Sequence, residues 1–350
     1  MAGQISQEKY KAIEGIRAYS AIAIILMHVF YNGEYILKGD AFKAAISSFG
    51  TLVFLFMIIS SFSMCCGYFD KLMTGTITPV QFFSRRFRKI WPFFAVLVCL
   101  DIIISPSVES LYEAFADLTL CFGLLPNAKI EVIGVGWTLG VIFVFYLLFP
   151  FVCFLLSSKI KAWLAFFASF VFHYVCSVYF FDDQHVTAGY SSGTNILYCS
   201  VYFVAGGIIY LYRHDICRIL KSFVARCVMI AMMILFGASY FAFGPRTIIM
   251  LPLYALILIF AISEKNGVTF LNNKFTRYIG GISMELYLCH MVVYRVVEKL
   301  GLLRIGHSEL ISYLVTVFLT VLGSVAFTMC VRKFLMVVNC VGKKLIYNKE

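Results

Sequence analysis

Residues 14–28 read Glu14-Gly-Ile-Arg17-Ala-Tyr-Ser-Ala-Ile-Ala-Ile-Ile-Leu-Met-His28. The stretch is apolar enough for a membrane span, yet it carries an arginine near one end and a histidine at the other. Ionisable groups inside a span cost roughly 2.5–3.5 kcal/mol each on insertion scales, so each asks for a partner or a function. Arg17 and His28 are eleven residues apart. Eleven steps of 100° close to within about 20° of three full turns, which puts both side chains on one helix face, about 16.5 Å apart along the axis. Glu14, at i−3, is placed to orient Arg17. The stretch therefore predicts a spanning helix with Arg17 at its cytoplasmic edge and His28 near or beyond the midplane.

The rest of the chain has the same character. Of 350 residues, 61% are hydrophobic and 13% are charged, and the mean hydropathy is +0.90. A soluble domain of this size has too much surface to cover with so few charges. Composition thus excludes a soluble enzyme, a nucleic-acid module and a disordered protein. Ten segments are long and apolar enough to be read as spans: about 12–31, 46–66, 90–105, 132–156, 162–180, 196–212, 227–243, 247–263, 279–297 and 310–331. Residues 108–126, with Glu109, Glu113 and Asp117, read instead as a peripheral amphipathic helix. Pro92 reads as the entry of the third span. No stretch resembles a cleavable signal peptide. The expected fold is all-α: a polytopic integral membrane protein of about ten helices, forming a single domain over 1–350 with no appended soluble domain.

Loop charge orients it. With both termini in the cytoplasm, 22 of the 29 basic residues and 7 of the 18 acidic ones fall inside, leaving +15 inside and −4 outside. The net charge of +11 is then mostly a positive-inside signature rather than a nucleic-acid footprint. The expected location is the cell membrane, multi-pass. Most of the twelve cysteines lie in apolar runs, and there is no CxxC or zinc spacing, so they read as reduced packing residues and no metal is expected.

Two further constellations stand out. Gly280-Gly-Ile-Ser283-Met-Glu285-Leu-Tyr287-Leu-Cys-His290 puts Ser283, Tyr287, His290 and Tyr294 on one face of the ninth span. Counted from the cytoplasmic end, His290 lies as deep as His28. The stretch Phe82-Phe-Ser-Arg85-Arg86-Phe-Arg88-Lys89-Ile-Trp-Pro92 interleaves four cations with aromatics just before a span. It reads either as a lipid-headgroup anchor or as a clamp for an anionic cofactor.

Together these residues resemble the acyltransferase-3 membrane O-acyltransferases. That family's first helix carries a run like D/E-G-L-R-A-L-A…H, matched by Glu14, Gly15, Arg17, Ala18 and His28. Its R-R-x-x-R-I-x-P stretch is matched by Arg85, Arg86, Lys89, Ile90 and Pro92, with Lys89 where Arg is usual. Its W-S/T-L…F-Y-L-L-x-P segment is matched by Trp137, Thr138, Leu139, Phe145, Tyr146, Leu147, Leu148 and Pro150. Its late G-x-x-S-x-x-x-Y-L-x-H segment is matched by Gly280, Ser283, Tyr287, Leu288 and His290. One departure is Ile142, where many members carry Glu five residues after the Trp.

The resemblance implies acyl transfer, usually of acetyl, from cytoplasmic acetyl-CoA or another acyl-CoA to a carbohydrate hydroxyl outside. His28, Arg17 and His290 are then the expected catalytic residues, with His28 a base or a transient acyl relay. Arg17, Arg85, Arg86, Arg88 and Lys89 are the expected cofactor-binding residues, and Glu14, Trp137, Ser283, Glu285 and Tyr287 the expected cavity residues. Expected partners are membrane lipid, acyl-CoA and a carbohydrate acceptor, with no nucleic acid; homo-oligomerisation stays open. The competing reading is a proton-coupled secondary transporter of a small solute, which intramembrane His and Arg also fit. The soluble-type H-x4-D acyltransferase motif is absent.

Overall fold

A computed structural model describes residues 10–124, 133–180, 193, 195–264 and 269–347. Glu8, Lys9, Lys129, Lys265, Lys349 and Glu350, which enter the charge balance, lie outside the described residues, as does His185. Short 3-10 turns aside, the described residues form twelve helices, in chain order α1 (Ala12–Asn32), α2 (Asp40–Met73), α3 (Pro79–Ile104), α4 (Val108–Leu118), α5 (Trp137–Leu155), α6 (Lys159–Val175), α7 (Ile196–Ile219), α8 (Phe223–Phe243), α9 (Thr247–Ser263), α10 (Lys274–Gly281), α11 (Ser283–Lys299) and α12 (Glu309–Tyr347). There is no strand among the described residues.

Over their described residues, nine of the ten apolar segments lie mostly on one helix each, and 279–297 is divided between two. Among the described residues, seven helices are long and apolar enough to cross a membrane: α1, α2, α5, α6 with its extension to Tyr179, α7, α8 and α12. The other three differ for identifiable reasons. α3 carries the cations at 85–89 in its first half, and α9 and α11 have 17 residues each. Residues 108–118 form the separate amphipathic α4, tied to α3 where the Trp91 indole donates to the Leu118 carbonyl at 2.9 Å.

Two expectations are corrected. Pro92 lies inside α3 and not at its entry. The helix begins thirteen residues earlier, at Pro79, where Thr78 and Gln81 cap it reciprocally. The cationic cluster is therefore carried on the same rod as the span. Segment 279–297 is likewise not one helix. It breaks at Ile282, whose φ/ψ of −117°/11° ends α10 and starts α11.

Close backbone approach explains the break. A Cβ at Gly280 would stand 2.2 Å from the Glu14 carbonyl oxygen, and one at Gly15 would stand 2.1 Å from the Leu271 carbonyl oxygen. Two glycines thus let α10 and the chain before it seat directly on α1. Such small-residue contacts drive helix association where lipid removes the hydrophobic difference. α12 uses another device: Ser312, Thr316, Thr320, Ser324 and Thr328 recur every fourth residue and are all buried. This ladder faces the seam with α1 and α11, where Thr316 meets the Tyr35 hydroxyl at 2.7 Å and the Cys289 thiol approaches Ser324 and Thr328. α2, α5 and α7 fill the centre, whereas α6 and α8 turn mostly apolar, exposed faces outward.

Candidate active site

The seating of α10 on α1 fixes where Glu14 and Arg17 stand. The Arg17 guanidinium donates from Nη1 to Glu14 Oε1 at 3.0 Å and from Nη2 to Ser63 Oγ at 2.9 Å. Ser63 is on α2, where the sequence reading placed no site residue. In Leu52–Met64 every residue is buried except Leu52, Phe56, Ser60 and Ser63. These four lie within about an 80° arc, so one stripe of an otherwise buried helix keeps partial access. Each of the last three meets a residue from another motif. Ser63 meets Arg17, the Ser60 hydroxyl is 2.9 Å from the Tyr146 hydroxyl, and the Phe56 ring is 6.5 Å from the Tyr287 ring.

The cations of α3 divide. Arg85 and Arg88 are exposed. Arg86 turns inward, its Cζ 4.5 Å from the Tyr68 ring centroid and 5.8 Å from that of Tyr146, with Nε buried and unpartnered. Guanidinium over an aromatic face is a favourable cation–π arrangement. Lys89, just before the span, is exposed yet crowded. Surrounding protein holds its ammonium pKa below the ordinary range; Arg86 and Arg17 add repulsion, and Glu285 and Glu14 pull the other way. Arg17, Arg86 and Lys89 therefore form one electrostatic group.

At the other end of α1 the two histidines meet. The His28 and His290 ring centroids are 5.1 Å apart, tilted by 45°. His290 is fully buried, and its Nδ1 lies 2.6 Å from the Tyr287 carbonyl oxygen. A carbonyl only accepts, so Nδ1 carries the hydrogen and Nε2 keeps its lone pair. Nε2 is buried with no partner, beside the half-buried His28 ring. The arrangement suits one histidine facing the reaction and one behind it that sets ring orientation.

The remaining expected residues take supporting places. The Tyr287 hydroxyl lies 2.8 Å from Thr138 Oγ1, joining α11 to α5. Trp137 is half-buried at the first residue of α5, so it is its neighbour Thr138 that reaches Tyr287. Ser283 donates to the Gly280 carbonyl at 2.8 Å, closing the α10–α11 break. Glu285 is ion-paired with Arg332 on α12. Tyr294, one turn beyond His290, is 2% exposed with an unpartnered hydroxyl. No group of three or more His, Cys, Asp or Glu that could hold a metal ion occurs among the described residues.

A third histidine is set apart. His173 on α6 is buried, with Nδ1 2.7 Å from the Tyr198 carbonyl and Nε2 bonded to Thr247. Both nitrogens are used in joining α6, α7 and α9. This is a packing histidine, and its saturation is what distinguishes it from His290.

Sequence reasoning missed Ser60, Ser63, Tyr68, Tyr146 and Arg332 as site neighbours. Tyr146 alone carried a signal, as a matched motif position. The serines sit in an apolar run whose phase only packing reveals.

Comparison with known proteins identifies the family. The family described as an acyltransferase domain, the acyltransferase-3 family, matches over residues 10–329. "Protein 2 in picA locus" of Rhizobium radiobacter is 27% identical over 131 residues, covering 35% of this chain and 64% of that protein. The match thus spans less than two thirds of that relative's length. No solved structure matches the chain.

Proposed function

The chain belongs to the acyltransferase-3 family, and from that premise we propose that it is a membrane O-acyltransferase. It moves an acyl group, acetyl foremost, from cytoplasmic acetyl-CoA to a sugar hydroxyl of a cell-surface polysaccharide or glycolipid. The observation that carries this reading is the pairing of two unlike sites on one helix. Arg17 on α1, grouped with Arg86 and Lys89 of α3, stands at one level, and the pair of His28 on α1 and His290 on α11 stands three turns of α1 away. That spacing suits coenzyme A, with phosphates held at the cytoplasmic edge and the thioester delivered deeper.

The chemistry then needs few parts. A His28 ring nitrogen takes the proton of the acceptor hydroxyl as its oxygen attacks the thioester carbonyl. The carbon–sulfur bond breaks, coenzyme A leaves as the thiolate, and the proton passes from His28 to that sulfur. His290, held by the Tyr287 carbonyl, orients His28. Low water content around the pair limits thioester hydrolysis. Ile142 stands where relatives of this type often carry Glu, and Glu285 is already paired with Arg332, so the base is assigned to histidine alone.

The same reading places ten spans in the membrane, with both termini cytoplasmic and 1–350 as one domain. The helical character of the ten apolar segments and the charge balance of +15 inside against −4 outside support it. The test is a mass comparison of surface glycan from cells with and without the protein. Loss of about 42 Da per site, the C2H2O added when acetyl is transferred to a hydroxyl, is the expected result. Identical glycan masses together with solute accumulation that needs no acyl-CoA would favour the transporter reading instead.

A further inference from the structure

The α2 stripe is the feature that the mechanism above leaves unused. In Leu52–Met64 its members alone are not fully buried, and Ser63 makes a direct bond to the arginine assigned to the donor. We propose that Ser63 is a positioning residue, holding the Arg17 guanidinium open toward the coenzyme A phosphates rather than folded onto Glu14; this rests on the acyl-CoA reading above.

Among the described residues, Arg17 without Ser63 has one close side-chain partner, Glu14, on its own helix at i−3. A bidentate pairing there would neutralise the guanidinium and use its fork. Ser63 prevents this geometrically. It draws Nη2 across to α2 at 2.9 Å, leaving only Nη1 on Glu14 Oε1 at 3.0 Å, while Glu14 Oε2 has no hydrogen-bond partner. A hydroxyl accepts the hydrogen bond without cancelling the charge, so Arg17 keeps its attraction for an anion. The glycine contacts of α10 on α1 fix the backbone beneath, so the side-chain direction is what Ser63 sets. The arc of the stripe continues from Ser63 to Ser60 and Phe56, toward Tyr287 and the histidines. The face that orients the cation thus runs along the route of the donor arm.

The test is equilibrium binding of coenzyme A and of pantetheine, which lacks the phosphates, to the full chain in detergent. Ser63→Ala should weaken coenzyme A binding roughly tenfold, the effect of losing a hydrogen bond to a charged group. Pantetheine binding should be unchanged, and Ser63→Thr, which keeps the hydroxyl, should restore coenzyme A binding. In an Arg17→Ala background, Ser63→Ala should have no further effect. Unchanged coenzyme A binding, equal loss for both ligands, or additivity with Arg17→Ala would each overturn the assignment. If Ser63→Ala does not accumulate, the Ser63→Thr and Ser63→Cys pair decides it: equal coenzyme A affinities for the two overturn the assignment. A wild-type chain that binds no coenzyme A overturns the acyl-CoA reading itself, and this inference with it.

Discussion

His290 and His173 show how identical side chains acquire different uses. Both are buried, and both donate from Nδ1 to a backbone carbonyl. His173 also spends Nε2 on Thr247, whereas His290 leaves Nε2 free beside His28. His290→Ala should therefore slow acyl transfer by about 10²-fold through loss of ring orientation, measured as turnover in membranes at matched protein level. His173→Ala should lower thermal stability in detergent while leaving turnover per folded molecule near the wild-type value. Tyr287 offers a second check. Its hydroxyl and that of Thr138 are mutual partners, so Thr138→Val and Tyr287→Phe should each cost about 1 kcal/mol of stability. The double variant should cost less than the sum of the two, read from detergent melting curves. At this scale the sequence showed the histidines, the arginine and Tyr287, because each is an expensive or polar residue at a countable helical phase. Ser63 was not legible. A serine in an apolar run satisfies itself on its own helix as easily as across a seam, and only packing decides which.

Among the elements, α10 and α1 meet through glycine. Any Cβ at Gly280 collides with backbone of α1 rather than with a side chain that could move. Gly280→Ala should force the pair apart and destabilise the protein by roughly 1–3 kcal/mol or more, visible as a lower melting temperature in detergent. Displacing Glu14 should also weaken coenzyme A binding, since Arg17 sits three residues on. Gly281→Ala, where a Cβ meets nothing, is the matched control and should leave both nearly unchanged. The adjacent glycines and the polar Ser283 were visible as sequence, yet the run from 279 to 297 read as one span because its apolar content is continuous. The contact that breaks it comes from a helix more than 250 residues earlier. The start of α3 is hidden for a simpler reason: Pro92 looks like an N-terminal proline, and the Thr78–Gln81 capping box with Pro79 at the first position lies outside the apolar run 90–105.

For the whole molecule, the account ties charge to orientation. Epitope tags inserted after Lys38 and after Lys221 should report opposite sides. The first should bind antibody on intact spheroplasts, and the second only after permeabilisation. The same accessibility for both would reject the topology. Fold class was legible because a bilayer admits so few solutions for a chain with this composition, and the twelve helices bear that out. The central claim is narrower than the fold: acyl transfer depends on a histidine facing the deep end of a path that begins at Arg17. The most direct measurement uses membranes carrying wild type or His28→Ala at equal protein level, supplied with acetyl-labelled acetyl-CoA, and follows label into the cell-surface glycan. The account predicts robust transfer by wild type and a loss of about 10²–10⁴-fold in the variant, the range removed with a general base. Undiminished transfer by His28→Ala would contradict it.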